Sequence, residues 1–177
     1  IIPHFGRGLI VEVLGDTAFQ KLDGHAALGF IGPVKKEDER RNVDEPVVSR
    51  SRLGWTSMAM DGIITNGLQI RRELIEQGAI FSSHADVEII AHLMARSSAK
   101  SVQEAIESVQ PALYGNFSLA IMTLQEIYAV RATCQSPRLW VGKLIDGAQV
   151  ISSTPAALLR VSAEQLRELG RREMLVL

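Results

Sequence analysis

Residues 60–97 read MDGIITNGLQIRRELIEQGAIFSSHADVEIIAHLMARS, and this stretch decides the fold. Leu68, Leu74 and Ile75 recur at helical spacing around Arg71 and Arg72, so a helix is expected over Leu68 to Gln77. Gly78 follows it, where a residue past a helix end commonly takes a left-handed conformation. A second helix is expected from Asp86, whose short carboxylate suits an N-cap, with Ile89, Ile90, Leu93 and Met94 as its apolar face.

Just downstream, Ser101 and Glu104 form an S-x-x-E capping box. Val102, Ala105, Ile106, Val109 and Leu113 continue it as one apolar stripe. Successive amphipathic helices need a common surface to cover, and the C-terminal half supplies one. Strands are expected at Phe117 to Thr123, Ile127 to Arg131, Arg138 to Leu144, Gln149 to Ser152 and Glu173 to Leu177. Turn signals at Leu124-Gln125, Cys134 to Pro137 and Asp146-Gly147 separate them, with a short helix near Ala156 to Leu159. The spacing indicates antiparallel hairpins.

Upstream, Leu9 to Val13 and Gly24 to Ile31 read as buried strands, the first ending at Gly15-Asp16. Trp55 to Ala59 is a further apolar run, which Asp61-Gly62 is expected to turn. From Gly32 to Arg52 the text is crowded with six basic and five acidic side chains, broken by Pro33 and Pro46. It reads as a solvated, mobile loop over 32–54, and it lacks the interleaved aromatics of a nucleic-acid platform. The expected fold class is α+β, with helices packed on mostly antiparallel sheets in a single domain, 1–177.

The 177 residues carry a formal net charge of −1 and 46% hydrophobic side chains, enough for one sizeable core. Neither nucleic acid nor a membrane surface is an expected partner, because no net charge or basic patch attracts them. No apolar run approaches a membrane span. The single cysteine, Cys134, excludes an internal disulfide and fits a reducing compartment, so a cytoplasmic location is expected.

GRGLIVEV at 6–13, TNGLQIRRELIEQGAIF at 65–81, ADVEIIAHL at 85–93, YGNFSLAIMT at 114–123, IYAVR at 127–131 and REM at 172–174 together resemble the class II glutamine amidotransferase domain. The likeness is greatest to the glutaminase half of the amidophosphoribosyltransferases. The resemblance implies the four-layer αββα sandwich of the N-terminal nucleophile hydrolases, its opening strand missing from the familiar pattern here. It also implies an ancestral reaction in which an N-terminal cysteine attacks the side-chain amide of glutamine and releases ammonia. The purine-biosynthetic context of those enzymes comes with it.

Measured against that pattern, several reactive groups differ. The chain opens at IIPHFGRG rather than at cysteine, and Cys134 falls in an expected loop. Where the family carries Asn-Gly-Asn, this sequence has Asp61-Gly62-Ile63; an ionised carboxylate only accepts, and losing one oxyanion donor typically costs ~10²–10³ in rate. Gly62 keeps a backbone N–H that could donate. The arginine that grips the glutamine carboxylate is replaced by Phe30-Ile31-Gly32-Pro33. The family's Arg-Asp-Pro-x-Gly-x-Arg-Pro loop reads Arg131 to Arg138 with its aspartate and glycine lost, and the Ser-Glu-Thr-Cys-Ala turn reads Ser153-Thr154-Pro155-Ala156. Asp86 occupies the position that binds the glutamine α-amino group, although a helix cap alone would also explain it.

The expected site is therefore a glutamine-site remnant of Asp86, Gly62 and Asp61, with no catalytic residue, cofactor or metal assigned. Its expected occupant is a small amino-acid-like ligand, and a second copy or a partner subunit is the expected macromolecular partner. Two functions stand: a binding or assembly module without glutaminase activity, a pseudoenzyme, or a glutaminase part whose cysteine lies upstream or on another chain. His84, Asp86, Glu88 and His92 match no strong zinc motif and read as a solvated helix start. Gly6-Arg7-Gly8 reads as a strand-edge turn, and Leu166 to Arg172 as a surface turn.

Overall fold

The computed structural model describes residues 13–15, 24–32 and 45–177. The readings at Leu9 to Glu12, at Gly6-Arg7-Gly8 and over 33–44 lie outside the described residues. Residues 24–31, expected as a strand, take no regular secondary structure. Ile31 is 77% exposed, and apolar composition alone supplies no ladder partner.

Strand β1 (Val47–Ser51) and strand β2 (Gly54–Ile64) form a hairpin, followed by helices α1 (Gly67–Glu76), α2 (Asp86–Arg96) and α3 (Val102–Val109). Strands β3 (Gly115–Met122), β4 (Ile127–Arg131), β5 (Trp140–Lys143) and β6 (Gln149–Ser152), helix α4 (Pro155–Arg160), and strands β7 (Glu164–Glu168) and β8 (Met174–Val176) complete the order. β1 corrects, over 47–51, the reading of 32–54 as a loop: its residues pair along β2 from Val47↔Met58 to Ser51↔Gly54. The charged composition hid a strand whose partner begins after only two intervening residues.

One sheet runs β1-β2-β3-β4-β8 and the other β6-β5-β7, every pairing antiparallel. Strand alternation sorts the first sheet's two faces. Met58, Met60, Phe117, Leu119, Ile121, Tyr128 and Val130 meet Ile89, Ile90, Ala105 and Ile106 of the helical layer in one buried core. Small side chains lie on the opposite face, where Ala129 packs with Leu139, Val141 and Leu169 between the sheets. With α4 packed on β5, β6 and β7, the layers are helix, sheet, sheet, helix.

The helices follow their sequence signals closely. Gly78 takes φ +85° and its N–H donates to the Ile75 carbonyl, closing α1. Ser101 Oγ accepts from the Glu104 N–H at 3.1 Å, while Glu104 reaches back to the N–H of Lys100 rather than Ser101. β7 was not legible, because its EQLRE text has one apolar side chain, Leu166; that side chain packs where Gly142 of β5 has no Cβ.

Candidate functional site

β2 does not turn at Asp61-Gly62; the ladder with β3 runs through both, to Ile64↔Gly115. Glycine at 62 is fixed by close approach: φ is +113°, and a Cβ there would lie 2.2 Å from the Asn116 carbonyl oxygen and 2.8 Å from Phe117 Cα. The reversal comes later, at Thr65-Asn66, where the Thr65 N–H donates to the Tyr114 carbonyl and the Asn66 side chain bridges Ala112 and Tyr114.

Odd residues of β2 bond β3, as the Thr65 to Tyr114 contact shows, so even residues turn their amides toward β1. The β1 ladder stops at Val47↔Met58, short of Met60, Gly62 and Ile64. Carboxylates finish the edge. Glu45, which the same register brings opposite Met60, accepts the Met60 N–H at 2.9 Å, and Asp86 accepts the Ile64 N–H at 3.2 Å.

Asp86 is thus not the helix cap expected of it. Ala85 holds the N-cap position in an extended conformation, and the Asp86 side chain leans away from its own helix to β2. Gly67 leaves room for it, since a Cβ there would stand 3.3 Å from Asp86 Oδ1. Burial, with Asp86 and Asp61 nearby, pushes the Glu45 carboxyl up to about 7 despite its hydrogen bond to Met60. Asp61 itself is exposed. Asp61, Gly62 and Asp86 therefore share one strand end, with Glu45 as a fourth member that its place in a charged stretch concealed.

Acceptors dominate this end of β2, which suits a cationic or amine group and opposes an anion. Cys134 is exposed in the β4–β5 loop, and among the described residues no hydrogen bond joins it to Asp61, Gly62 or Asp86. Arg131, at the start of that loop, is buried between the sheets. Its Nη1 donates to Glu168 Oε1 at 2.6 Å and to the Leu169 carbonyl at 2.8 Å.

Glu88 overturns the reading of a solvated helix start. It is 5% exposed, and its two oxygens accept from the N–H and hydroxyl of both Ser82 and Ser83 at 2.7–2.8 Å. Burial raises its pKa, the four hydrogen bonds outweigh that, and the carboxyl stays below its ordinary range. His92 lies against Phe81, ring centroids 4.4 Å apart, with its pKa lowered chiefly by burial. Among the described residues no cluster could hold a metal ion, and no helix is long and apolar enough to cross a membrane.

Two clefts are present elsewhere. One of about 350 Å³ lies beside the β5–β6 turn at Lys143, Asp146 and Glu164. Another of about 250 Å³ runs between β1 and α2.

Residues 34–160 match the model of the glutamine amidotransferase domain. The chain is 30% identical to the amidophosphoribosyltransferase of Bacillus subtilis over all of its own length and 37% of that protein. It is 28% identical to that of Methanothermobacter thermautotrophicus, covering 99% of this chain and 37% of the relative. The solved glutamine phosphoribosylpyrophosphate amidotransferase of B. subtilis superposes with a TM-score of 0.88 at 31% identity, over 98% of this chain and 37% of that one. The structure described as the allosteric regulatory enzyme of purine biosynthesis gives 0.83 at 30% identity, with the same coverage. The chain spans little more than a third of the length of these relatives.

Proposed function

This chain belongs to the class II glutamine amidotransferase domain family, and from that premise we propose that it is a binding or assembly module without glutaminase activity. The observation that carries this is the set of three carboxylates at the end of β2. Asp61 stands where the resemblance expects an amide donor, with the Glu45 and Asp86 carboxylates on the N–H groups two residues either side of Gly62. Amide hydrolysis passes through a developing oxyanion, which this field of acceptors destabilises whatever thiol is supplied.

The occupant supported is a small amino-acid-like ligand held through its ammonium group, with Asp86 as the principal acceptor and Asp61 beside it. Titration of the purified protein with glutamine, followed by calorimetry and by ammonia release, tests both halves. Binding without ammonia above a heat-killed control is expected. Glutamine-dependent ammonia release would overturn the reading.

A second reading is favoured by the retention of Gly62 and Asp86: a glutaminase part completed by a cysteine upstream or on another polypeptide. N-terminal sequencing of the protein isolated from its own cells, paired with the same ammonia assay, separates the two. An N-terminal cysteine together with ammonia release would establish the second.

A further inference from the structure

The cleft between β1 and α2 is separate from the site above, and the geometry points to it as a docking groove for an extended peptide of alternating small aliphatic and acidic residues. Because even residues of β2 bond β1, the bonded residues of β1 are Val47, Ser49 and Ser51. Val48 and Arg50 therefore turn both their N–H and C=O groups to the other side. Among the described residues no strand pairs there, since β1 is the last strand of its sheet.

Two outward residues at i and i+2 are the unit that strand addition uses. Sheet edges are commonly blunted by prolines, bulges or charges thrown across them. β1 has none of these within its span: its ladder is unbroken, and its one basic side chain, Arg50, lies over the Trp55 ring at 5.5 Å, flanking the edge without covering it.

An added strand would present alternate side chains to the two faces. On the helix side it would meet the cleft of about 250 Å³, floored by Ala91 and Ala95 and walled by Ile80 and His92, room for roughly two small aliphatic side chains. Ile80 is 88% exposed and otherwise unaccounted for. Glu88, although it lines this cleft, is fully occupied by Ser82 and Ser83, so the helix side offers no free anion to a partner. On the opposite face the added strand would meet the exposed Arg50, whereas Arg52 donates to the Ser97 carbonyl at the end of α2 on the helix side. Charge complementarity on that face selects acidic residues, which fixes the alternating pattern.

The test uses a fluorescein-labelled acetyl-Glu-Val-Glu-Val-Glu-amide, its lysine counterpart acetyl-Lys-Val-Lys-Val-Lys-amide, and a version of the acidic peptide N-methylated at alternate residues. Anisotropy should show saturable binding of the acidic peptide, weakened at least about tenfold by N-methylation and by Ala95→Trp, which fills the groove. Arg50→Glu should reverse the preference toward the lysine peptide. In amide NMR spectra the Val48 and Arg50 signals should shift while that of Ile64 stays. No saturable binding, binding indifferent to N-methylation, or shifts centred on residues 60–64 would each overturn the proposal.

Discussion

The carboxylate of Asp86 accepts the backbone N–H of Ile64 at 3.2 Å, so the first turn of α2 finishes the hydrogen bonding of a strand 22 residues earlier. The proposed function makes this aspartate a ligand group, and the fold gives it a structural task as well. Asp86→Ala removes an acceptor from a partly buried N–H, a loss of about 1–2 kcal/mol. Urea denaturation should report that loss, and amide exchange at Ile64 should accelerate. Asp86→Asn, which keeps a carbonyl acceptor, should recover most of the stability while abolishing ammonium binding.

Glu45 makes the pH dependence unusual near neutrality. Its carboxyl is raised from 4.5 to about 7 in the folded protein, so the folded state holds its proton more tightly than the unfolded chain. That stabilisation is complete below about 4.5 and is lost as pH rises through about 7. Stability should fall across this window by up to about 3 kcal/mol. Glu45→Gln keeps an acceptor for Met60 but cannot ionise. Denaturation midpoints of the variant should lack the fall between pH 5 and 8 that Glu45 causes, and exceed those of the parent protein at pH 8.

Acid lability should come from Glu88. Its pKa is depressed, so its contribution is present above the ordinary carboxylate range and is lost as pH falls through the folded value. Glu88→Ala strands the N–H and hydroxyl groups of Ser82 and Ser83. A loss of about 2–4 kcal/mol is expected, with faster proteolysis of the 79–85 loop as the local readout.

Gly62→Ala should be costly for steric reasons alone. The added Cβ meets backbone of β3 at 2.2 Å, and neither strand can yield without breaking the ladder. About 3 kcal/mol or more is expected in thermal or urea unfolding. A variant as stable as the parent would mean that the β2–β3 register differs from the one described.

Arg131 ties the two sheets together, and its Nε is buried without a partner. Arg131→Met leaves Glu168 without its close partner and uncaps the Leu169 carbonyl, for a loss of about 3 kcal/mol. Glu168 keeps only the longer contact to Arg138 at 3.8 Å. The double variant Arg131→Met, Glu168→Leu should recover part of that loss, and a double-mutant cycle in urea measures how much.

Local sequence between 60 and 113 is enough to locate the three helices. Helical period, the glycine after α1 and the Ser101 cap act within a few residues, so spacing alone carries their signal. Alternation likewise marks β3 and β4, whose apolar faces are strong enough to stand alone. The family text survives in these same core segments, which is why the resemblance and the αββα architecture were both legible. What only the tertiary structure decided depends on partners distant in sequence. β1 is a strand because β2 folds back on it, and β7 because Gly142 admits Leu166. The same holds for the side chains. Glu45 belongs with Asp86 because the ladder of β1 ends opposite Met58, leaving Met60 and Ile64 to be satisfied by carboxylates. Register sets which amide needs an acceptor, and register is a property of paired strands that no single segment contains.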